Sequence, residues 1–309
     1  MLPTNTLTIK TKLCLAAALV CSLLASWAFW FEPSSIRVVE HELRPTQWPT
    51  HCDGLRVAVL ADLHLGSPFN GLNQLQSIVE LTNQAKPDII LLAGDYVIQG
   101  VLGGSFVAPE DAAKILAHLK ASAGVYAVLG NHDWWLESTR VGAALQNKGI
   151  TLLEDANQRV NTTLRHVKNR TSHECQFNLV GISDFWEGAH DIETALTGID
   201  TQIPTLAFTH NPDIFPLIPE QVTLTIAGHT HGGQVYLPFI GRPIVPSAYG
   251  ETYAIGAITE QRSGTTKHLF VSPGIGTSIL PVRFLVPPEI SVLTLLSPVP
   301  HTASKHQEN

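Results

Sequence analysis

Apolar residues fall along this chain in three rhythms. From Leu13 to Phe31 no residue is charged and nearly every side chain is apolar. As a helix, those 19 residues would be about 28 Å long, enough to cross the hydrocarbon core of a bilayer. A second rhythm runs from Leu55 to Gly149. Short continuous apolar runs, Leu55 to Ala61, Ile89 to Ala93 and Val125 to Leu129, alternate with stretches of helical spacing. The first of these carries Leu72, Leu75, Ile78, Val79 and Leu81. Pro109 to Ala121, with Pro at its start and acids in its first turn, is the second, and Ser138 to Lys148 the third.

Beyond Gly149 the rhythm shortens. Strands are expected at Ile150 to Leu153, Arg159 to Leu164, Gln176 to Ile182, Thr205 to Thr209 and Val222 to Ala227. Further strands are expected at Thr252 to Ile258, His268 to Val271 and Ile290 to Leu296. Asn157 to Cys175 reads as a hairpin with a polar tip, and Ile192 to Thr197 as a short helix. Continuous apolar strands imply a sheet covered on both faces in the first half, whereas the second half reads as mixed or antiparallel. The predicted fold is α/β: two packed mixed β-sheets flanked by helices, an αββα sandwich behind an N-terminal transmembrane helix. The expected organisation is a cytoplasmic N-terminus (1–12), an anchor or signal segment (13–31) and a linker with a first strand near Ile36 to Val39 (32–54). The main domain (55–298) and a polar tail (299–309) follow.

Lys10 and Lys12 precede the apolar segment and Glu32 closes it. The positive-inside bias then leaves the N-terminus in the cytoplasm and exports the rest, giving a single-pass inner-membrane protein. A cleaved signal peptide is the alternative, with a poor cleavage site at Ser26-Trp27-Ala28, and a buried core helix is a third. The bulky Trp27, Phe29, Trp30 and Phe31 favour an uncleaved interfacial anchor. Cys14 and Cys21 fall inside it. Cys52 and Cys175 fall outside, where a disulfide is chemically allowed, although nothing in the sequence shows that they meet and two free thiols fit as well. No Cys-x-x-Cys pair is present, which argues against a thiolate zinc knuckle. The net charge of −7 argues against a general nucleic-acid binder. Among 14 histidines, His166, His173 and His190 are expected to be solvated loop residues.

The remaining histidines are placed differently. Five predicted strands end in polar residues that a strand end does not require: Asp62 and His64; Asp95; Asn131 and His132; His210; His229 and His231. One Asp or Asn after a strand is ordinarily a turn residue. Five sets arranged alike can converge at the carboxyl edge of the sheet, where α/β proteins hold their ligands. His229 and His231 are two apart, so in extended backbone their rings would point the same way. Carboxylate, imidazole and amide oxygen suit Mn²⁺, Fe or Zn²⁺. With His132 set aside, seven such groups exceed one tetrahedral shell and suit two ions about 3.5–4 Å apart with a bridging carboxylate.

Asp62-x-His64, Gly94-Asp95, Gly130-Asn131-His132-Asp133, Thr209-His210 and Gly228-His229-Thr230-His231 occur in that order. This set resembles the motifs of the calcineurin-like metallophosphoesterases. The Gly-Gly-Gln after His231, Pro273-Gly274-Ile275-Gly276-Thr277 and Pro287-Pro288-Glu289-Ile290 resemble its membrane-anchored bacterial branch. That branch holds the YkuE-like and YaeI-like phosphoesterases, some of them linked to UDP-2,3-diacylglucosamine hydrolysis. The resemblance implies two divalent ions, one on Asp62, His64, Asp95 and His231 and the other on Asp95, Asn131, His210 and His229. Asp95 would bridge them, and a bridging hydroxide would attack phosphorus. His132 would act as general acid or as a charge on the phosphoryl oxygen. Asp133 would hold the tautomer of His132 or be a solvated loop acid.

The implied substrate is a phosphodiester or pyrophosphate. The anchor points to an amphiphilic or envelope-located one, although export conflicts with a cytoplasmic nucleotide sugar. A membrane-tethered protein that binds metal or phosphate without turnover is the competing reading. Three weaker sites complete the expectations. Arg283 would grip a phosphate or form a surface ion pair. Trp134 and Trp135 would wall a lipid or base pocket or pack in the core. Gly274 and Gly276 would serve a tight turn or touch phosphate.

Overall fold

The computed structural model describes residues 8–165, 172–262 and 264–298. His166, the tip of the hairpin, the polar tail and the first seven residues lie outside them. The continuous apolar runs became β2 (Leu55–Leu60), β3 (Ile89–Ala93) and β4 (Val125–Val128), which pair in parallel. Their side chains are buried on both faces, which is why the runs do not alternate with polar residues. Val57, Val59, Ile89 and Leu91 pack between the sheets with Phe177, Leu206, Phe208 and Ile226. Their neighbours Ala58, Leu60, Ile90 and Leu92 pack outward beneath three helices, against Leu75, Leu116 and Val141. Those helices are α2 (Leu72–Gln84), α3 (Pro109–Leu116) and α4 (Asn131–Gln146).

The first sheet is completed by β1 (Arg37–Leu43), β12 (Glu289–Leu295) and the short β5 (Thr151–Leu152), in the order β1-β12-β2-β3-β4-β5. β1 runs parallel to β12, so the chain enters the sheet directly after the apolar segment. The second sheet has the order β10-β11-β9-β8-β7-β6. It contains β6 (Ala156–Arg165), β7 (Ser172–Gly181), β8 (Thr205–Phe208), β9 (Leu224–Ala227), β10 (Gly256–Arg262) and β11 (Thr265–Val271). Its four central strands are parallel, and only the edge strands β6 and β10 are antiparallel. The sheet is therefore mixed, with more parallel character than its short apolar runs suggested.

Several boundaries differ from expectation, and three of them have a plain local reason. α3 stops at Leu116 because the Asn83 side chain takes the backbone of the next turn, donating to the His118 carbonyl (2.9 Å) and accepting from Lys120 N–H (2.8 Å). The span Asn131–Gln146 is two helical pieces divided at Glu137, whose φ of 179° and ψ of 93° are not helical. The second begins at Ser138 as expected, and the first is an added turn at whose start Asp133 accepts Gly130 N–H at 2.9 Å. The expected strand at Thr252 is a 3₁₀ turn, Gly250–Tyr253, and β10 begins only after the chain bends at Gly256 with φ near 80°.

Helix α1 (Ile9–Ser26) buries none of its residues, which excludes a buried core helix. It runs into a π-helical turn, Trp27–Phe31, whose Ala28 is buried. The span Ile9–Phe31 is long and apolar enough to cross a membrane. Cys52 and Cys175 form a disulfide across a Cα–Cα distance of 4.8 Å, joining the segment before β2 to β7 in the facing sheet. Cys14 and Cys21 are exposed on α1.

Candidate metal centre

The carboxyl ends of β2, β3, β4, β8 and β9 meet at one edge of the sandwich. Beyond them the backbone leaves the extended region abruptly. Asp62, His64, Asp95, His229 and His231 all have φ between 40° and 70°. That left-handed geometry is uncommon for residues with a Cβ, and it persists where the surroundings force it. It also turns His229 and His231 apart, as their assignment to two different ions implies, although two residues of extended backbone could point the same way. His229 Nδ1 lies 3.1 Å from His210 Nε2, whereas His231 Nε2 lies 3.0 Å from His64 Nε2. The two rings diverge into opposite halves of the site.

Backbone carbonyls set the tautomers. His64 Nδ1 meets the Val97 carbonyl at 3.2 Å, and His210 Nδ1 meets that of Ala93 at 2.8 Å. A carbonyl only accepts, so Nδ1 carries the hydrogen in both rings and Nε2 faces the site. Asp95 Oδ2 lies 3.4 Å from His64 Nε2 and 3.3 Å from His210 Nε2. A single carboxylate oxygen thus stands between the two halves. Asn131 Oδ1 is 3.2 Å from His210 Nε2, and Asp62 Oδ1 is 3.5 Å from His231 Nε2.

The donor chemistry fits metal. Imidazole lone pairs and carboxylate oxygens face one another in a buried space, an arrangement that a cation relieves. Asp62-His64-His231 and Asp95-His210-His229 each bring their ligand atoms within 4.8 Å of one another. Burial pushes His64 and His229 down to about 3, keeping both neutral as ligands must be. Burial pushes Asp62 up to about 7, partly offset by His210. Burial would also raise Asp95, but His210 and His64 hold it well below the carboxylate range. Burial would lower His210, yet the Asp95 and Asp62 carboxylates hold it high. A cation at this place would satisfy the same carboxylates.

His132 lines the mouth of this cleft, whose volume is about 380 Å³. Its Nδ1 lies 2.8 Å from Gln99 Oε1, and Gln99 Nε2 donates to the His132 carbonyl at 2.9 Å. The second bond orients the amide, so Oε1 accepts and Nδ1 of His132 donates. Gln99 therefore does what the sequence reading gave to Asp133, and no motif drew attention to it. Asp133 instead is buried and accepts N–H bonds from Asp95 (2.8 Å), Tyr96 (2.9 Å), Val97 (3.3 Å) and Gly130 (2.9 Å). It staples the loop after β3 to the start of α4, and it is neither a solvated acid nor a partner of the His132 ring.

Arg283 requires a correction too. It is fully buried, and its guanidinium donates to the carbonyls of Pro273, Gly274, Gly276 and Val286. All its nitrogens are engaged behind Asp62, so it neither grips a phosphate in the cleft nor forms a surface ion pair. Gly274 and Gly276 serve that packing. With φ near 68°, Gly274 sits where a Cβ would come within 2.7 Å of Asp62 Cβ, and one on Gly276 would come within 2.7 Å of His64 Cβ. Trp134 packs against the helical core, whereas Trp135 lines the cleft with its ring 4.6 Å from His132. Trp186, absent from the sequence reading, closes the opposite wall 4.4 Å from the His229 ring. A larger depression of about 1240 Å³ lies beside Arg56, Asp88 and Glu174 and holds none of the ligand residues.

The family model for calcineurin-like phosphoesterases matches residues 55–233. The chain belongs to this family. It is 30% identical to the Bacillus subtilis metallophosphoesterase YkuE over 273 residues, covering 88% of this chain and 89% of that one. It is 30% identical to the Escherichia coli phosphodiesterase YaeI over 285 residues, covering 91% and 96%. A Danio rerio transmembrane protein with a metallophosphoesterase domain is 28% identical over 295 residues, covering 90% and 62%. As a metallophosphoesterase the chain is a hydrolase of phosphoesters, and the family is dimetal-dependent.

Glu154 meets the end of β4 at Leu129, and nothing in the sequence points to it. It accepts Leu129 N–H at 2.8 Å, and its other oxygen is buried without a partner. Burial pushes it up to about 8 from an ordinary 4.5. The folded chain therefore keeps a proton that the unfolded chain has lost, and this part of the stability falls as pH rises from about 4.5 to about 8. Glu154→Gln keeps the Leu129 bond and is expected to flatten the decline of Tm between about pH 5 and pH 9. Parallel wild-type and variant curves would contradict that.

Proposed function

We propose that this chain is a two-metal phosphoesterase, held in the inner membrane by residues 13–31 with its catalytic domain on the exported face. The observation that carries the catalytic reading is Asp95 Oδ2 placed almost equally from His64 Nε2 and His210 Nε2. Asp62, His64, Asp95 and His231 would hold one ion, and Asp95, Asn131, His210 and His229 the other. Two such ions lower the pKa of a water and neutralise phosphoryl oxygens, which is the chemistry of in-line displacement at phosphorus.

The rest falls to the chain. Asp95 spans the halves through one oxygen while its other oxygen accepts His132 N–H at 2.9 Å. The same residue thereby fixes the His132 backbone over the cleft. With Nδ1–H committed to Gln99, His132 keeps Nε2 to face a phosphoryl or leaving-group oxygen. Burial lowers its pKa, so that as imidazolium it releases a proton readily. Trp135 and Trp186 line the mouth. A metal-binding protein without turnover would share the ligands but would not need an imidazole clamped at ring and carbonyl by Gln99. Export is supported by Lys10 and Lys12 at the N-terminal end of α1 and by the disulfide, a bond of oxidising compartments.

Metal analysis of the purified full-length protein, paired with hydrolysis of a panel of phosphomonoesters, phosphodiesters and pyrophosphates, tests the proposal. Two ions per chain with turnover of one class is the expected result, and a metal-loaded protein inert to all three would overturn it. Within the site, His132→Ala is expected to retain both ions while kcat falls about 10²–10⁴-fold. Gln99→Leu is expected to cost about 10–100-fold, since it only orients the ring. An unchanged rate for His132→Ala would remove His132 from the chemistry.

A further inference from the structure

The cleft opens among side chains that a water-facing surface does not ordinarily gather. Phe239 is fully exposed, and Ile240, Ile244 and Ile279 are each about three-quarters exposed. Leu280 and Leu285 are about half exposed. Single exposed apolar residues are unremarkable, but a contiguous set marks an interaction surface.

Hydrogen bonds show that the set is contiguous. Gln234, which lines the cleft, donates from its side chain to the carbonyls of Ser278 and Leu280 and accepts Ser278 N–H. The backbones of Gln234, Tyr236 and Phe284 are paired, and the Leu237–Gly241 turn carries Phe239 and Ile240 at its tip. Leu102 N–H adds a third loop by donating to the Ile279 carbonyl. Ile244 and Ile279 are themselves walls of the cleft.

The same loops are fastened to the end of the apolar helix. Arg283 N–H donates to the Ala28 carbonyl at 2.9 Å. Glu32 Oε1 accepts Val286 N–H at 2.6 Å, while its Oε2 accepts the Trp27 indole N–H at 2.5 Å. Trp30 packs edge-on against Phe69 at 5.2 Å, and Phe29 and Phe31 remain exposed beside it. The apolar collar therefore continues, without an intervening flexible linker, from a helix whose own side chains face outward along its length. Where that helix leaves the hydrocarbon, the collar must lie at the same level.

We propose that the active-site mouth is docked on the bilayer that holds α1, with Phe239, Ile240 and Leu285 in its interfacial region, and that the substrate is a phosphoester carried by a membrane lipid. This rests on the phosphoesterase reading for the chemistry but not for the docking. A lipid phosphate lies just above the acyl chains, at the level where a mouth with an apolar rim and a ligand-lined floor would receive it. Continuity with the anchor argues for the bilayer as the occupant of this face, rather than a second copy of the chain.

Two measurements on full-length protein in phosphatidylethanolamine–phosphatidylglycerol nanodiscs decide the matter. In the first, Phe239→Cys, in a Cys14→Ala/Cys21→Ala background, carries an environment-sensitive fluorophore. Docking predicts a blue shift and quenching by brominated lipids. A label that stays in water, or one that is shielded but unquenched as beneath a second copy, overturns the proposal. In the second, hexadecyl p-nitrophenyl phosphate in the nanodisc is compared with soluble bis(p-nitrophenyl) phosphate. Phe239→Asp/Ile240→Asp is expected to lose about tenfold or more in kcat/KM on the lipid probe and to keep its rate on the soluble one. Equal effects on both probes overturn the docking. If the metal-loaded wild type cleaves neither diester, the lipid phosphodiester is not its substrate and that half of the proposal is overturned, while the phosphoesterase reading is decided by the wider panel and the quenching still decides where the mouth lies.

Discussion

Asp95→Asn is expected to leave the purified protein with less than one ion per chain and a phosphoesterase rate more than about 10³-fold below wild type. That is a larger loss than removal of a single transition-state donor produces. The reason lies in how much converges on one carboxylate. Its Oδ2 is within 3.4 Å of imidazole nitrogens from both halves, and its Oδ1 accepts His132 N–H. An amide keeps the shape but gives up the negative charge that would hold two cations near each other. It also replaces one oxygen with a donor, so that either the bridging position loses its oxygen or His132 N–H loses its acceptor. Metal content and turnover measured on one preparation check this. Two ions retained by the variant would show that Asp95 is not the bridge.

Asp133→Ala is expected to fail differently, by destabilising the fold before it alters the chemistry. Four backbone N–H groups, from Asp95, Tyr96, Val97 and Gly130, lose their acceptor in a fully buried place. An unsatisfied buried donor costs roughly 1–3 kcal/mol. Even with partial relaxation, the loss is comparable to a large part of a domain's net stability of about 5–15 kcal/mol. The expected observation is a drop in the thermal midpoint for metal-free and metal-loaded protein alike. A variant with wild-type Tm and lowered kcat would instead restore Asp133 to a direct part in positioning His132.

How far the sequence could be read depended on whether a signal was local. Apolar runs such as Leu55 to Ala61 announce strands buried on both faces, because nothing polar interrupts them. The polar residues after those runs announce a common rim. The ligand residues therefore came from position along the chain, before any knowledge of which of them meet. What escaped was every assignment that depends on direction in space. Asp133 adjoins His132 in the chain, and adjacency suggested partnership. In an αR turn neighbours point apart, so Asp133 turned inward to the Asp95 loop while His132 turned to Gln99. Arg283 looked like a phosphate ligand because its type suits phosphate. Its fate was set by the carbonyls of the loop it closes, three to ten residues away, whose folding back around it no periodicity reveals. Cys52 and Cys175 meet only because two sheets stack, 123 residues apart in sequence.

The left-handed backbone at Asp62, His64, Asp95, His229 and His231 has a consequence for engineering and for drift. Each such residue stores on the order of 1 kcal/mol or more that the remainder of the fold must offset. Glycine or asparagine at these positions would relax the backbone while removing a ligand. Stability and activity are therefore opposed at five places within one small volume. Selection of the metal-free protein for heat resistance would favour loss of the ligands, whereas in the presence of metal, binding to the native state offsets the strain.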